Sequence, residues 1–222
     1  MGSVSPFEIE PSMYDAIIFD VDGTLWNASQ GSAEGWNTGL AKLDCDRKVT
    51  SMDIERVAGR PFEECVEVLL PRLKQQHADL LSFLDAAEIE AVKQAGGTFY
   101  DGVIEGIGQL ARSRKVFLVS NCQGWYMRVF LEFAGIESVL AGYDCHGMSG
   151  ESKASMLTKL QLDHSFVRPV YVGDTGGDEV AAHEAGMDFI QVSYGFGTVS
   201  ADAMTFNSFP ALLEFLEAQS RG

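Results

Sequence analysis

Positive charge is scarce in this chain. Sixteen lysines and arginines stand against 32 aspartates and glutamates, for a formal net charge of −16. Nucleic acids and anionic membranes are held by basic faces, so neither is an expected partner. No apolar run approaches the ~18 residues of a membrane span. Cysteines are few and scattered: Cys45, Cys65, Cys122 and Cys145, with no CxxC spacing. That is the usage of reduced thiols, and the expected location is the cytoplasm. His77, His146, His164 and His183 lack zinc-binding spacing. Residues 1–12 have no basic segment followed by an apolar one, so a secretory leader is not expected there. No GxGxxG fingerprint, internal repeat or low-complexity tract occurs, which removes the dinucleotide and solenoid readings.

What is present suffices for a packed core. Hydrophobic residues make up 46% of 222 positions and charged ones 22%, which fits one large domain or two unequal ones. Four short apolar runs stand out: Ala16-Ile17-Ile18-Phe19, Val116-Phe117-Leu118-Val119, Val170-Tyr171-Val172 and Phe189-Ile190-Gln191-Val192. Unbroken runs rich in β-formers suit strands covered on both faces of a parallel sheet. Helical patterns separate them. Val103, Ile107 and Leu110 repeat at helical spacing. Tyr126, Val129, Phe130 and Phe133 form a stripe that Gly135 closes, and Gly186 ends another helix after Val180–Ala185. The expected fold is a doubly wound, Rossmann-like α/β sheet.

Between Trp26 and Thr98 no strand is expected. Trp36, Leu40 and Leu43 mark one helical face. Thr50 with Asp53 has the form of a capping box. Pro61 suits the first turn of a helix carrying Phe62, Val66, Leu69 and Leu73, and Leu80–Val92 supplies a further helix. The expected organisation is an α/β core over 1–25 and 99–222 with an inserted all-helical cap over 26–98. Hinges fall at Gly96-Gly97 and near Trp26–Gly31.

The polar residues that end the apolar runs carry the chemistry. The runs stop at Asp20 with Asp22 two residues on, at Ser120, and at Gly173-Asp174, and open α/β sheets bind ligands at the carboxyl ends of their strands. In Asp20-Val21-Asp22-Gly23-Thr24, the two carboxylates point the same way while the backbone stays extended, and Gly23 then permits a tight turn. Carboxylates so close repel unless a cation intervenes or one holds a proton. A hard divalent ion, for which Asp174 could complete a site, answers that need.

Asp20–Leu25 resembles the DxDGTL signature of the haloacid dehalogenase superfamily. Val119-Ser120-Asn121, Lys153 in Gly150-Glu151-Ser152-Lys153, and Gly173-Asp174-Thr175-Gly176-Gly177-Asp178 follow in that family's order. The helical insert, Tyr194-Gly195-Phe196-Gly197 and Phe209-Pro210-Ala211-Leu212 are similar to the phosphoglycolate-phosphatase-like branch. The resemblance implies a Mg²⁺-dependent phosphohydrolase acting on a small organic phosphate monoester; the expected assembly is a monomer or homodimer. It implies Asp20 as nucleophile and Asp22 as general acid and base. Metal ligation falls to Asp20, Asp174 and the Asp22 backbone carbonyl. Ser120, the Asn121 amide and Lys153 hold the phosphoryl oxygens, with Gly23, Thr24 and Asp178 in support. Arg60, in the cap, is a candidate substrate contact. A bound cation would also offset the repulsion of an acidic protein for its own substrate.

Two stretches depart from the branch: Asp101 in Tyr100-Asp101-Gly102 replaces a common proline, and Asn27 follows Trp26 where an aspartate is frequent. Both blur the substrate. Trp26 and Trp125 are read as packing residues and Cys122 as an ordinary thiol. A sugar-phosphate phosphomutase of the same superfamily, which would share the aspartyl-phosphate step, is the enzymatic alternative. A non-turnover phospho-aspartate signalling or binding protein is the alternative of another class.

Overall fold

The computed structural model describes residues 14–218. Its elements in chain order are β1 (Ala16–Phe19), β2 (Trp26–Asn27), α1 (Ser29–Ala41), α2 (Ser51–Val57), α3 (Phe62–Leu69), α4 (Pro71–Gln76), α5 (Leu80–Ala95) and β3 (Thr98–Phe99). There follow α6 (Val103–Leu110), β4 (Lys115–Ser120), α7 (Gly124–Ala134), β5 (Gly142–Cys145), α8 (His146–Ser149), α9 (Lys153–His164), β6 (Pro169–Gly173), α10 (Gly176–Glu184), β7 (Asp188–Val192), β8 (Met204–Phe206) and α11 (Phe209–Ala218).

Six strands form one parallel sheet in the order β5-β4-β1-β6-β7-β8. Its central strands carry unbroken apolar runs, Ala16–Phe19 in β1, Val116–Val119 in β4 and Val170–Val172 in β6, because alternate side chains enter two different cores. Ile17, Phe19, Leu118 and Val172 pack with Val103, Phe130 and Leu212 from α6, α7 and α11. Ile18, Phe117, Val119 and Tyr171 pack on the opposite face with Met156 and Leu157 of α9 and Ala181 and Ala182 of α10. The register pairs Phe19 with both Leu118 and Val172, so β4, β1 and β6 end at one level.

The edges depart from the sequence expectation. β5 (Gly-Tyr-Asp-Cys) and β8 (Met-Thr-Phe) belong to the sheet although neither is an apolar run. An outer strand is covered less than an inner one, so the signal of continuous burial is missing there. Phe133, expected on the buried stripe of α7, is 46% exposed.

The cap is a bundle of α1–α5 with its own core, built on Trp36, Leu40, Val57, Val66, Leu69, Leu80 and Leu84. Thr50 and Asp53 form the expected capping box, with the Thr50 hydroxyl accepting from Asp53 N and the Asp53 carboxylate accepting from Thr50 N. The single helix expected from Phe62 to Leu73 is two. Pro71 lacks the N–H that a continuous helix requires, so α3 ends and α4 begins there. The stretch expected to lack strands contains β2 and the start of β3. They pair antiparallel, Trp26 with Phe99 and Asn27 with Thr98, so the chain leaves and re-enters the core through adjacent strands. Two-residue strands carry no periodic signal.

Helices α1 and α5 touch through glycine. A β-carbon built on Gly35 would lie 2.5 Å from Cα of Glu88 and 2.9 Å from the Ala87 carbonyl oxygen, both backbone atoms. Gly35→Ala therefore forces two main chains apart. The expected outcome is a loss of about 1–3 kcal/mol, read as a lower urea midpoint for cap unfolding; an unchanged midpoint would show that the helices part freely.

Candidate active site

Parallel pairing decides the geometry. Ser120 ends β4, Asp20 follows β1 and Asp174 follows β6, and these strands are neighbours, so the three side chains lie on one edge. Asp20, Thr24, Asp174 and Asp178 are fully buried, and Lys153 is 4% exposed. Ser152 caps α9 by accepting from Ser155 N, which sets Lys153 in the first turn. Its Nζ lies 2.5 Å from Asp178 Oδ1 and 3.1 Å from Asp20 Oδ2. A cation at a helix N-terminus opposes the macrodipole; here two carboxylates offset it.

Asp178 is occupied on both oxygens. Oδ1 takes Lys153, and Oδ2 accepts from Thr175 N (2.9 Å), Thr175 Oγ1 (2.7 Å) and Asp174 N (3.2 Å). Asp174 accepts from Phe196 N (2.7 Å) and Thr24 Oγ1 (3.3 Å). Asp20 differs: its Oδ2 makes the ion-pair contact with Lys153, yet neither of its buried oxygens has a hydrogen bond of good geometry. One oxygen each of Asp20, Asp174 and Asp178 lie within 4.8 Å of one another. Gly23 is required twice over. Its φ is +76°, and a β-carbon there would lie 2.3 Å from Asp174 Oδ2.

Burial pushes these acids upward. Asp20 is raised by desolvation against the pull of Lys153. Desolvation raises Asp22 to about 8, although Tyr126 Oη donates to its Oδ1. Desolvation, then the charge of Asp178, raises Asp174 to about 7. Lys153 is disfavoured by burial, but Asp178 and Asp20 outweigh that and its net shift is upward. The raised acids bind protons more tightly folded than unfolded, where carboxylates titrate near 4. From pH ~4 to ~8 the native state therefore holds more protons, and stability falls as pH rises. In chelator, the urea midpoint is expected to drop between pH 5 and 8. A rising midpoint would contradict these shifts.

A cleft lies between core and cap. Asp22, Ser120, Asn121 and Tyr126 line the core side, and Trp36, Phe62 and Glu88 the cap side. Arg60 is exposed and also lines it. Asn121 Nδ2 donates to the Gly59 carbonyl (2.8 Å) and Trp125 Nε1 to Asp85 Oδ1 (2.8 Å), so side chains of the core hydrogen-bond to the cap. Trp125 thus does more than pack. Trp26 is a packing residue, with rings of Tyr126, Phe130 and Phe99 at 5.3–5.7 Å. Cys122 is raised by its hydrogen bond with Cys145 and then by burial, the reverse of an activated thiol.

Sequence reasoning missed Tyr126, which it read only as part of an apolar stripe, and Glu88. Trp36 Nε1 donates to Glu88 Oε2 at 2.7 Å, and burial raises Glu88 to about 7. An acid inside the apolar Leu80–Val92 pattern was the available signal.

Comparison with known proteins bears on this arrangement. Residues 17–192 match the family model described as haloacid dehalogenase-like hydrolase. A protein of Dickeya dadantii (strain 3937) named "Probable phosphatase IndB" is 26% identical over 197 residues, covering 84% of each chain. Among solved structures, a predicted phosphoglycolate phosphatase from Haemophilus somnus 129PT superposes with a TM-score of 0.77 at 19% identity, over 91% of this chain and 97% of that one. A predicted phosphatase from Clostridium acetobutylicum gives 0.76 at 18% identity, over 93% and 100%. At such identities the structures speak to fold alone.

Proposed function

The chain belongs to the haloacid dehalogenase-like hydrolase family and is a phosphatase of it, and we propose that it hydrolyses a small organic phosphate monoester through a phosphorylated Asp20. The observation that carries this reading is Asp20 itself: a buried carboxylate with no hydrogen bond of good geometry to either oxygen, beside Lys153 and Asp174 at the end of three parallel strands. A structural aspartate in that position would be hydrogen-bonded; a nucleophile must keep a lone pair free.

An Asp20 oxygen attacks phosphorus as the bond to the leaving oxygen breaks, and Asp22 gives its proton to the departing alkoxide. Its raised value of about 8 leaves it largely protonated at neutral pH. Tyr126 occupies Asp22 Oδ1, which leaves Oδ2 to face the leaving oxygen. Water then attacks the phosphorus of the aspartyl-phosphate, Asp22 takes the water proton, and phosphate leaves with Asp20 restored. Ser120 and the Asn121 amide orient phosphoryl oxygens, and Lys153 neutralises their charge. Asp178 positions Lys153. The cap shuts bulk water out, and Arg60 stands at the cleft to meet substrate.

The carboxylate cluster fits a hard divalent cation: its donors are all oxygen, and Asp20 has uncommitted buried lone pairs. Asp20, Asp174 and the Asp22 carbonyl would hold Mg²⁺, which supplies charge neutralisation between nucleophile and phosphate when bound. The test is phosphate release from a panel of monoesters with and without Mg²⁺. Release dependent on the ion supports the reading. Isomerisation of a sugar phosphate without release would give the site to a phosphomutase, and no turnover of any ester would remove the phosphatase.

A further inference from the structure

Resting on the phosphatase reading, we infer that the cleft selects a leaving group bearing a hydrogen-bond donor, hydroxyl or ammonium, and that Glu88 is the residue that reads it. Three of the cleft's lining residues are charged: Asp22, Glu88 and Arg60. Asp22 belongs to the reacting end and Arg60 is exposed. The cap side therefore presents one buried charge, and it is an acid. Glu88 is 8% exposed and stands on α5 where Gly35 brings α1 into backbone contact, so its main chain cannot retreat. Trp36 Nε1 holds Oε2, and the Ser32 hydroxyl lies against the same carboxylate. A carboxylate offers about four lone-pair sites, so two neighbours leave capacity for a donor from the ligand.

Glu88 lines the same cleft as Asp22, Cys65 and Tyr126, which places it in one space with the reacting groups. A leaving group ending in carboxylate would meet a like charge there, and the one cation among the described lining residues, Arg60, stands at the exposed mouth of the cleft rather than beside Glu88's buried carboxylate. One ending in hydroxyl or ammonium would complete the hydrogen bonding of a buried acid. The fold resembles that of a predicted phosphoglycolate phosphatase, but this cleft is built against glycolate.

Three esters of matched size separate the cases: phosphoethanolamine, 2-hydroxyethyl phosphate and 2-phosphoglycolate. Each is measured at pH 8 as a substrate and as a competitor of p-nitrophenyl phosphate hydrolysis, so that an ester turned over slowly still yields an inhibition constant. The expected result is that both donor-bearing esters exceed 2-phosphoglycolate by at least about tenfold in kcat/KM or in affinity. Glu88→Gln keeps an acceptor for Trp36 and is expected to fold with an unchanged Tm, while the ratio shrinks to within about threefold. Equal or better use of 2-phosphoglycolate by the native chain would overturn the inference. So would an unaltered ratio in Glu88→Gln, or no competition by any of the three. Those outcomes leave the phosphatase standing as long as p-nitrophenyl phosphate is hydrolysed; loss of that activity as well would remove both.

Discussion

Asp20→Asn is expected to lower kcat by at least about 10⁴-fold, the scale on which removal of a covalent nucleophile acts, while the protein stays folded. The amide preserves the shape of the side chain but cannot form the acyl-phosphate. Folding should not suffer, because in the native protein the Asp20 oxygens lack hydrogen bonds of good geometry and lie close to Asp174 and Asp178. Removing one charge from that cluster relieves repulsion, at the cost of the 3.1 Å contact with Lys153. The native circular dichroism spectrum and a Tm within a few degrees of the parent should accompany the lost turnover. A stable variant that still turned over at the native rate would remove Asp20 from the chemistry.

Lys153→Met is expected to cost stability as well as activity. The ammonium is buried between Asp178 Oδ1 at 2.5 Å and Asp20 Oδ2 at 3.1 Å. Deleting one partner of a buried ion pair leaves uncompensated charge and commonly costs about 3–5 kcal/mol. For a chain of this size that is a fall in Tm of roughly 6–20 °C. The loss should be smaller at pH 5 than at pH 8, since carboxylates that have lost their cation take up protons. Combining it with Asp178→Asn should recover part of the difference, because Asp178 then no longer carries a buried charge. A Tm shift below 2 °C for Lys153→Met at pH 8 would mean that the pair contributes little.

The parallel sheet was legible because its inner strands are buried on both faces, which writes unbroken apolar runs into Ala16–Phe19 and Val170–Val172. The outer strands β5 and β8, half-covered, left no such trace. Thr50 and Asp53 announced a helix start because a capping box is local chemistry. Pro71 divides α3 from α4 by equally local chemistry, where the apolar spacing from Phe62 to Leu73 reads as one helix. At the site, Asp20, Ser120 and Asp174 could be grouped in advance because each ends a run and parallel neighbours end together. Tyr126 and Glu88 could not. Their roles depend on α7 meeting β1's loop and on α5 meeting α1, separations of 104 residues for Tyr126–Asp22 and 52 for Glu88–Trp36.

The sequence by itself determined the strand cores, the helix starts and the order of residues able to carry phosphoryl chemistry, since burial pattern, capping and turn chemistry act within a few positions of the chain. Tertiary structure alone decided which groups face one another across the cleft. It set Tyr126 on Asp22, left Asp20 without a hydrogen bond of good geometry, and sealed an acid into the cap through the contact at Gly35. Those outcomes depend on burial and on distances between remote segments, and only the packed chain specifies either.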